Sequence, residues 1–228
     1  MEGTAQTLYW FPNETVRVEV PFFQRPYVWD EEDWNELIES IKSANEKSMP
    51  FIGSFILQKL SDRYYVIDGQ QRITTLSVLI KAFLDSFVFT EETKDAKSIF
   101  MSFAYARTSL GMKSVYASRL IPSNVDKNDF EAVMALDSLP PTEKKGAIIK
   151  AYYHFVKYFA SCSCEELESF GEKLLTNKKF FITIILDEQD DEQKIFDSVN
   201  SLGKDLTKAD IIKNYLYCVQ QIILADFH

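Results

Sequence analysis

Histidine, cysteine and glycine are scarce in this 228-residue chain, which holds 2, 3 and 7 of them. The cysteines are Cys162, Cys164 and Cys218, an odd number with one Cys-x-Cys pair, which gives no disulfide framework. A structural zinc centre usually draws on four Cys or His ligands, and His154 and His228 are the only histidines, which argues against one. Seven glycines argue against a large β-barrel or a solenoid of tight turns. No apolar run approaches the length of a membrane span, and the start, MEGTAQTLYW, lacks the basic and apolar regions of a secretory leader. A reducing, cytoplasmic setting is the expectation.

Basic residues are also short, at 25 Lys+Arg against 34 Asp+Glu, a net charge of −9. Such a chain is a poor general binder of polyanions, because neutralising phosphates takes Lys and Arg. Any nucleic-acid contact must therefore be local. The charge is uneven: Ala96 to Val125 contains Lys97, Arg107, Lys113 and Arg119 and no acid, with Tyr105 and Tyr116 among them. The stretch reads either as a solvated surface or as a nucleic-acid contact strip.

Apolar residues make up 46% of the chain and Phe alone numbers 18, so an aromatic-rich core is expected. Val16 to Val20 alternates as a half-buried strand does, and VPFFQRPYVW follows as an aromatic loop. Asp30, with Asp33 three residues on, reads as the N-cap of a helix over about 31–46. Residues 51–60 and 64–67 read as a hairpin. Asp68-Gly69-Gln70-Gln71-Arg72 then leads straight into a long helix striped by Ile73, Leu76, Leu79, Ile80, Phe83 and Phe87. Further helices are expected near 92–107, 127–136, 143–160 and 164–176, with an extended piece near 115–121. Residues 179–186 read as a strand buried on both faces. A helix over 189–202 and another from Thr207 close the reading. That last helix meets no stop signal, so a longer protein is expected. Leu139-Pro140-Pro141 is the expected boundary between residues 1–138 and 139–228.

IDGQQRITTL carries the most chemistry. A helix start offers free backbone N–H groups and the positive end of its dipole, which attract phosphate. Gly69 allows close approach, and Arg72 can grip phosphate with two parallel bonds. Gln70 and Gln71 can orient a water. Asp68 could hold a divalent cation through water or act as a base. An Asp-capped helix with a polar first turn accounts for the same residues, and composition alone does not separate the two. No Walker-type Gly-x-x-x-x-Gly-Lys-Ser/Thr element is present. Gln24-Arg25-Pro26-Tyr27-Val28-Trp29 forms a second cluster: Arg25 is another fork donor, and Tyr27 and Trp29 could stack on a base or simply pack the loop. Asn200 to Thr207 reads mostly as helix stop, turn and helix start. With two histidines, an HNH nuclease is not expected within this chain.

QRPYVW, FIGSFIL, IDGQQRITTL and FDSVNSLGKDLTKADIIKNYL, in this order and spacing, resemble the N-terminal domain of GmrSD-type restriction systems. The resemblance spans about 20 to 220. It implies an α+β fold: a ParB/sulfiredoxin-like core with a small mixed sheet over 1–138, and a mainly helical subdomain with one buried strand over 139–228. It also implies binding and hydrolysis of GTP or another nucleoside triphosphate, with Mg²⁺, to gate attack on modified phage DNA. An HNH-type nuclease domain or subunit would do the cutting. Carried over by position, Asp68, Gln70, Gln71 and Arg72 are the catalytic candidates, with Asp68 also the metal candidate. Gln24, Arg25, Gly69, Thr74 and Asn200 are the nucleotide-binding ones. Tyr27, Trp29, Arg107 and Arg119 are the candidates for base or DNA contact.

Overall fold

The computed structural model describes residues 3–11, 14–44, 52–60, 63–110, 113–138, 146–176 and 180–186. It is an α+β fold, as expected. The strands are β1 (Gly3–Gln6), β2 (Arg17–Glu19), β3 (Ser54–Leu60), β4 (Arg63–Asp68), β5 (Tyr105–Leu110), β6 (Lys113–Ser118), β7 (Leu120–Ile121) and β8 (Phe181–Leu186). The helices are α1 (Glu31–Lys42), α2 (Gln70–Ser86), α3 (Lys94–Ala104), α4 (Lys127–Met134), α5 (Ala147–Ser161) and α6 (Cys164–Thr176). The main sheet runs β1-β8-β3-β4-β2-β7, and β5 and β6 form a separate hairpin. Antiparallel pairs (β3 with β4, β1 with β8) and parallel pairs (β3 with β8, β2 with β4 and β7) mix within it.

α2 is the central element. Thirteen of its residues, Gln70 through Phe83 with Arg72 excepted, are buried, so the helix is covered nearly all round. A helix of that kind belongs to a core rather than to a surface. α5 packs along it, and Phe83 meets the rings of Phe87, Phe100 and Phe159 at 5.3, 5.1 and 5.4 Å between centroids. These are the spacings at which aromatic pairs attract beyond simple burial. Lys81 is buried too, and its ammonium lies 2.6 Å from the Asp85 carboxylate, which also accepts from the Tyr152 hydroxyl on α5. No helix among the described residues is long and apolar enough to cross a membrane.

Several elements depart from the sequence expectation. The helix expected over 92–107 stops at Ala104, because Tyr105 to Leu110 pairs with β6 and the Arg107 N–H donates to the Glu14 carbonyl. β8 is buried at Phe181, Thr183 and Leu186, but Ile185 is 37% exposed, so it is not buried on both faces throughout. Across the boundary expected at 139, α5 packs on α2, β8 lies between β1 and β3, and one apolar cluster holds residues from both sides. The helices expected beyond 187 lie outside the described residues.

Arg119 is the clearest departure. Expected on a DNA-contact strip, it is 2% exposed. Its guanidinium donates to the carbonyls of Val16, Ser102 (2.7 Å) and Tyr105 (3.0 Å), and it sits 4.2 Å above the Phe11 ring. Burial pushes its pKa down to about 10. The residue ties the segment before β2 to α3 and β5 and has no face left for a phosphate.

Two outcomes follow. Arg119→Ala should strand several buried carbonyls and cost about 3 kcal/mol or more, read as a lower denaturant midpoint. The salt dependence of any DNA binding should stay unchanged. His154 on α5 bonds the Asn35 side chain on α1 at 2.9 Å. Burial holds its pKa below 6.5, with Lys157 adding to the effect and Glu31 opposing it. The unfolded chain therefore binds the proton more readily, and stability should fall as the pH drops below about 6.5. His154→Gln should lose that part of the pH dependence in urea titrations.

Candidate functional site

Two glycines bring the start of β3 against the start of α2. Gly69 is the N-cap of α2 with φ of 94°, and a Cβ there would lie 2.7 Å from the Phe55 ring and 2.8 Å from the Ser54 carbonyl oxygen. Gly53 has φ of 107°, and a Cβ there would meet the Arg72 Nε at 2.9 Å. Only glycine suits both backbone angle and space. Arg72 lies across Gly53, donates to the Ser54 carbonyl at 3.4 Å and comes within 3.8 Å of the Asp68 carboxylate. Asp68 is thus not the helix cap. Among the described residues no side chain caps α2, whose first turn carries the positive end of the helix dipole.

The QRPYVW loop is fastened onto this helix start by amides. Gln71 accepts from the Val28 N–H at 2.8 Å and donates to the Pro26 carbonyl at 3.1 Å. Gln70 donates to the Arg25 carbonyl, and Gln24 donates to the Ile67 carbonyl at 2.9 Å. Below the loop, the Trp34 indole donates to the Tyr27 hydroxyl at 2.8 Å. That hydroxyl lies 2.7 Å from Thr75 Oγ1, which donates to the Gln71 carbonyl. Burial drives the Tyr27 phenol pKa up, which keeps the relay neutral.

From the other side the turn before α4 grips the same loop. The Asp126 carboxylate accepts the Tyr27 N–H through both oxygens, at 3.1 and 3.2 Å, and a bond from Ser123 Oγ at 3.0 Å. Burial raises the Asp126 pKa, and those two donors pull it back. Between Tyr27, Gln70, Gln71, Thr74 and Asp126 lies a space of about 10 Å³, room for a single water. Gln70 Oε1 is buried with no hydrogen-bond partner among the described residues, an unusual state for a buried acceptor.

The structure therefore gathers Gln24, Arg25, Asp68, Gly69, Gln70, Gln71, Arg72 and Thr74 at one place. Of the candidates for base or DNA contact, Tyr27 and Arg119 are buried. Tyr27 is 7% exposed and hydrogen-bonded from below, so its ring cannot stack on a base. Trp29 is half-buried against the core. Arg107 stands far along β5, paired with Glu14 at 3.3 Å. Asn200 lies outside the described residues. Sequence reading gave no role to Gly53, Ser54, Ser123 or Asp126. FIGSF was visible as a motif, but only the fold lays its glycine under Arg72. No cluster of three acidic, His or Cys side chains fit for a metal occurs among the described residues.

Asp126→Ala should leave the Tyr27 N–H without its acceptor, at a cost of about 1–3 kcal/mol. Asp126→Asn keeps an acceptor oxygen and should recover most of that. Hydrogen exchange at Tyr27 and Val28, compared across the three proteins, reads the effect locally.

No curated protein matches the chain. A model of the GmrSD restriction endonuclease N-terminal domain matches residues 9–217, a span holding both the amide-fastened loop and the helix start beneath it. The chain belongs to that family of restriction-system domains.

Proposed function

We propose that this domain binds a nucleoside triphosphate at the start of α2 and hydrolyses it, and that the hydrolysis controls attack on modified DNA by an HNH-type nuclease domain or subunit. Family membership supports a restriction system acting on modified DNA. The observation that carries the nucleotide reading is the start of α2, which no side chain among the described residues caps, with Arg72 laid across Gly53. Phosphate oxygens would accept from the first N–H groups of the helix, as anions do at helix starts. The water-sized space is too small for a nucleotide, so the phosphates would lie on the open side, by Gly53 and Gly69.

Phosphoryl transfer depends mostly on positioning and on charge stabilisation. Arg72 would spread its charge over the transferred group, and Arg25, which has no side-chain partner among the described residues, would reach from the loop. Asp68 would orient the attacking water or the hydration shell of the cation. A magnesium ion carried in with the triphosphate would neutralise its oxygens. Gln71 has both amide ends engaged, so its task is to hold the loop. Gln70 Oε1, with no partner among the described residues, would accept from a ligand hydroxyl or a water.

A second reading has its own support: both motif glutamines bond loop backbone, as a pure binding module would also require. Turnover separates the two. A screen of all nucleoside triphosphates, with and without Mg²⁺ and modified DNA, should show phosphate release. Asp68→Ala should lower turnover about 10²-fold while changing binding little. Arg72→Ala should impair both, and Gly53→Ala should weaken binding by displacing Arg72. Binding without phosphate release in the unaltered protein would favour the binding module, and unchanged turnover in Asp68→Ala would strike it from the catalytic set.

A further inference from the structure

A hollow of about 440 Å³ opens where β2, β4, β7 and α4 meet. Its charges do not balance. Arg17, Lys127, Glu19 and Glu131 line it, and Arg63 stands close to Arg17. Arg63 takes Glu19 at 2.9 Å, and Lys127 takes Glu131 at 3.9 Å. Asp126 lies behind the wall formed by Val20 and Pro122, with its carboxylate on the Tyr27 N–H. Arg17 keeps no carboxylate among the described residues. It is half-buried, and burial, with Arg63 adding to it and Glu19 and Glu131 opposing, holds its pKa below the ordinary value.

Its guanidinium is nevertheless held. Nε and Nη2 both donate to the Ser118 carbonyl, at 3.2 and 3.0 Å. A carbonyl orients the group without neutralising it. That contact uses the side shared by Nε and Nη2. The end edge, one N–H from each Nη, has no partner among the described residues, and such an edge takes two oxygens of an anion in parallel. The sequence-expected cations offer nothing comparable: Arg119 is spent on carbonyls, and Arg107 has its own acid in Glu14.

The balance selects the ligand. One spare positive charge matches one negative charge, and Glu19 and Glu131 at the same hollow repel any more. That disfavours a triphosphate here. Leu120 and Phe130 add apolar lining, which favours a charge carried on a carbon frame over a bare ion. A phosphodiester meets both demands, with one negative charge, two unesterified oxygens and an ester carbon on either side. We propose that this hollow binds a phosphodiester, with Arg17 taking its two unesterified oxygens and the apolar lining taking its sugar carbons. The diester is one link of a DNA backbone or a free cyclic nucleotide. The proposal rests on the reading that this chain acts on DNA, and it stands apart from hydrolysis.

The test titrates the full chain by NMR with 3′,5′-cyclic AMP, 5′-AMP, adenosine, inorganic phosphate and a short DNA duplex. A diester should shift residues 17–20 and 117–131 and bind about tenfold tighter than 5′-AMP or adenosine. Arg17→Gln, which keeps a donor for the Ser118 carbonyl but loses the charge, should weaken the diester about tenfold and leave triphosphate affinity unchanged. Glu131→Gln guards against a folding defect in that variant: with one repelling acid gone, the preference for the diester over the dianionic 5′-AMP should shrink severalfold. Binding of cyclic AMP with no effect of Arg17→Gln on the duplex assigns the site to a free nucleotide. A duplex that depends on Arg17, with cyclic AMP silent, assigns it to the DNA backbone. Each supports the diester site. If neither diester depends on Arg17, if inorganic phosphate or 5′-AMP binds as tightly, or if Glu131→Gln leaves the preference unchanged, the proposal is overturned. Absence of triphosphate binding or hydrolysis in the unaltered protein, with Arg17-dependent diester binding intact, counts against the nucleotide reading and not against this one.

Discussion

Everything at the site hangs on one side-chain amide. Gln71 is placed by the first turn of a helix that is itself immobilised by burial, and its two polar ends take the two backbone groups that flank Tyr27. A loop with two prolines and several large rings has no strand ladder to satisfy its backbone. The amide supplies what a ladder would, since a buried main-chain group without a partner is costly. Arg25 is thereby carried over the start of α2, and the aromatic relay from Trp34 through Tyr27 to Thr75 locks the loop from beneath.

The local features of this arrangement were legible in the sequence. A strand, a short polar turn and a helix were expected at DGQQR and are present. Asp30 and Asp33 were expected to cap α1 and do so reciprocally, and α6 runs over the 164–176 expected from its pattern. Each of these depends on neighbours within a few residues, which is the range over which capping and periodicity act.

What was not legible depends on distant backbone. Arg119 looked like a surface cation because no acid lies near it in sequence, yet its partners are carbonyls that converge from 16, 102 and 105. Backbone carbonyls leave no compositional trace. Tyr27 and Asp126 are a similar case: one looked like a stacking ring and the other like an ordinary loop acid until the fold set them 3.1 Å apart, across 99 residues of chain. The glutamines show a further limit. The same amide that can bind a ligand can bind backbone, and only geometry says which hand is free.

The position of β8 bears on how the protein comes into being. It is the last described strand, and it lies between the first strand, β1, and β3. During synthesis, β3 must wait for more than 120 residues before one of its two neighbours exists, and until then it shows a bare edge of unpaired N–H and C=O groups. Ser54, whose carbonyl steadies Arg72, sits on that edge. The corner formed by Gly53, Ser54 and Arg72 is therefore completed late on the ribosome. A shorter piece ending before 181 would leave a sticky strand rather than a smaller working domain, and a cell making this protein has reason to shield that edge until the chain is long enough to close it.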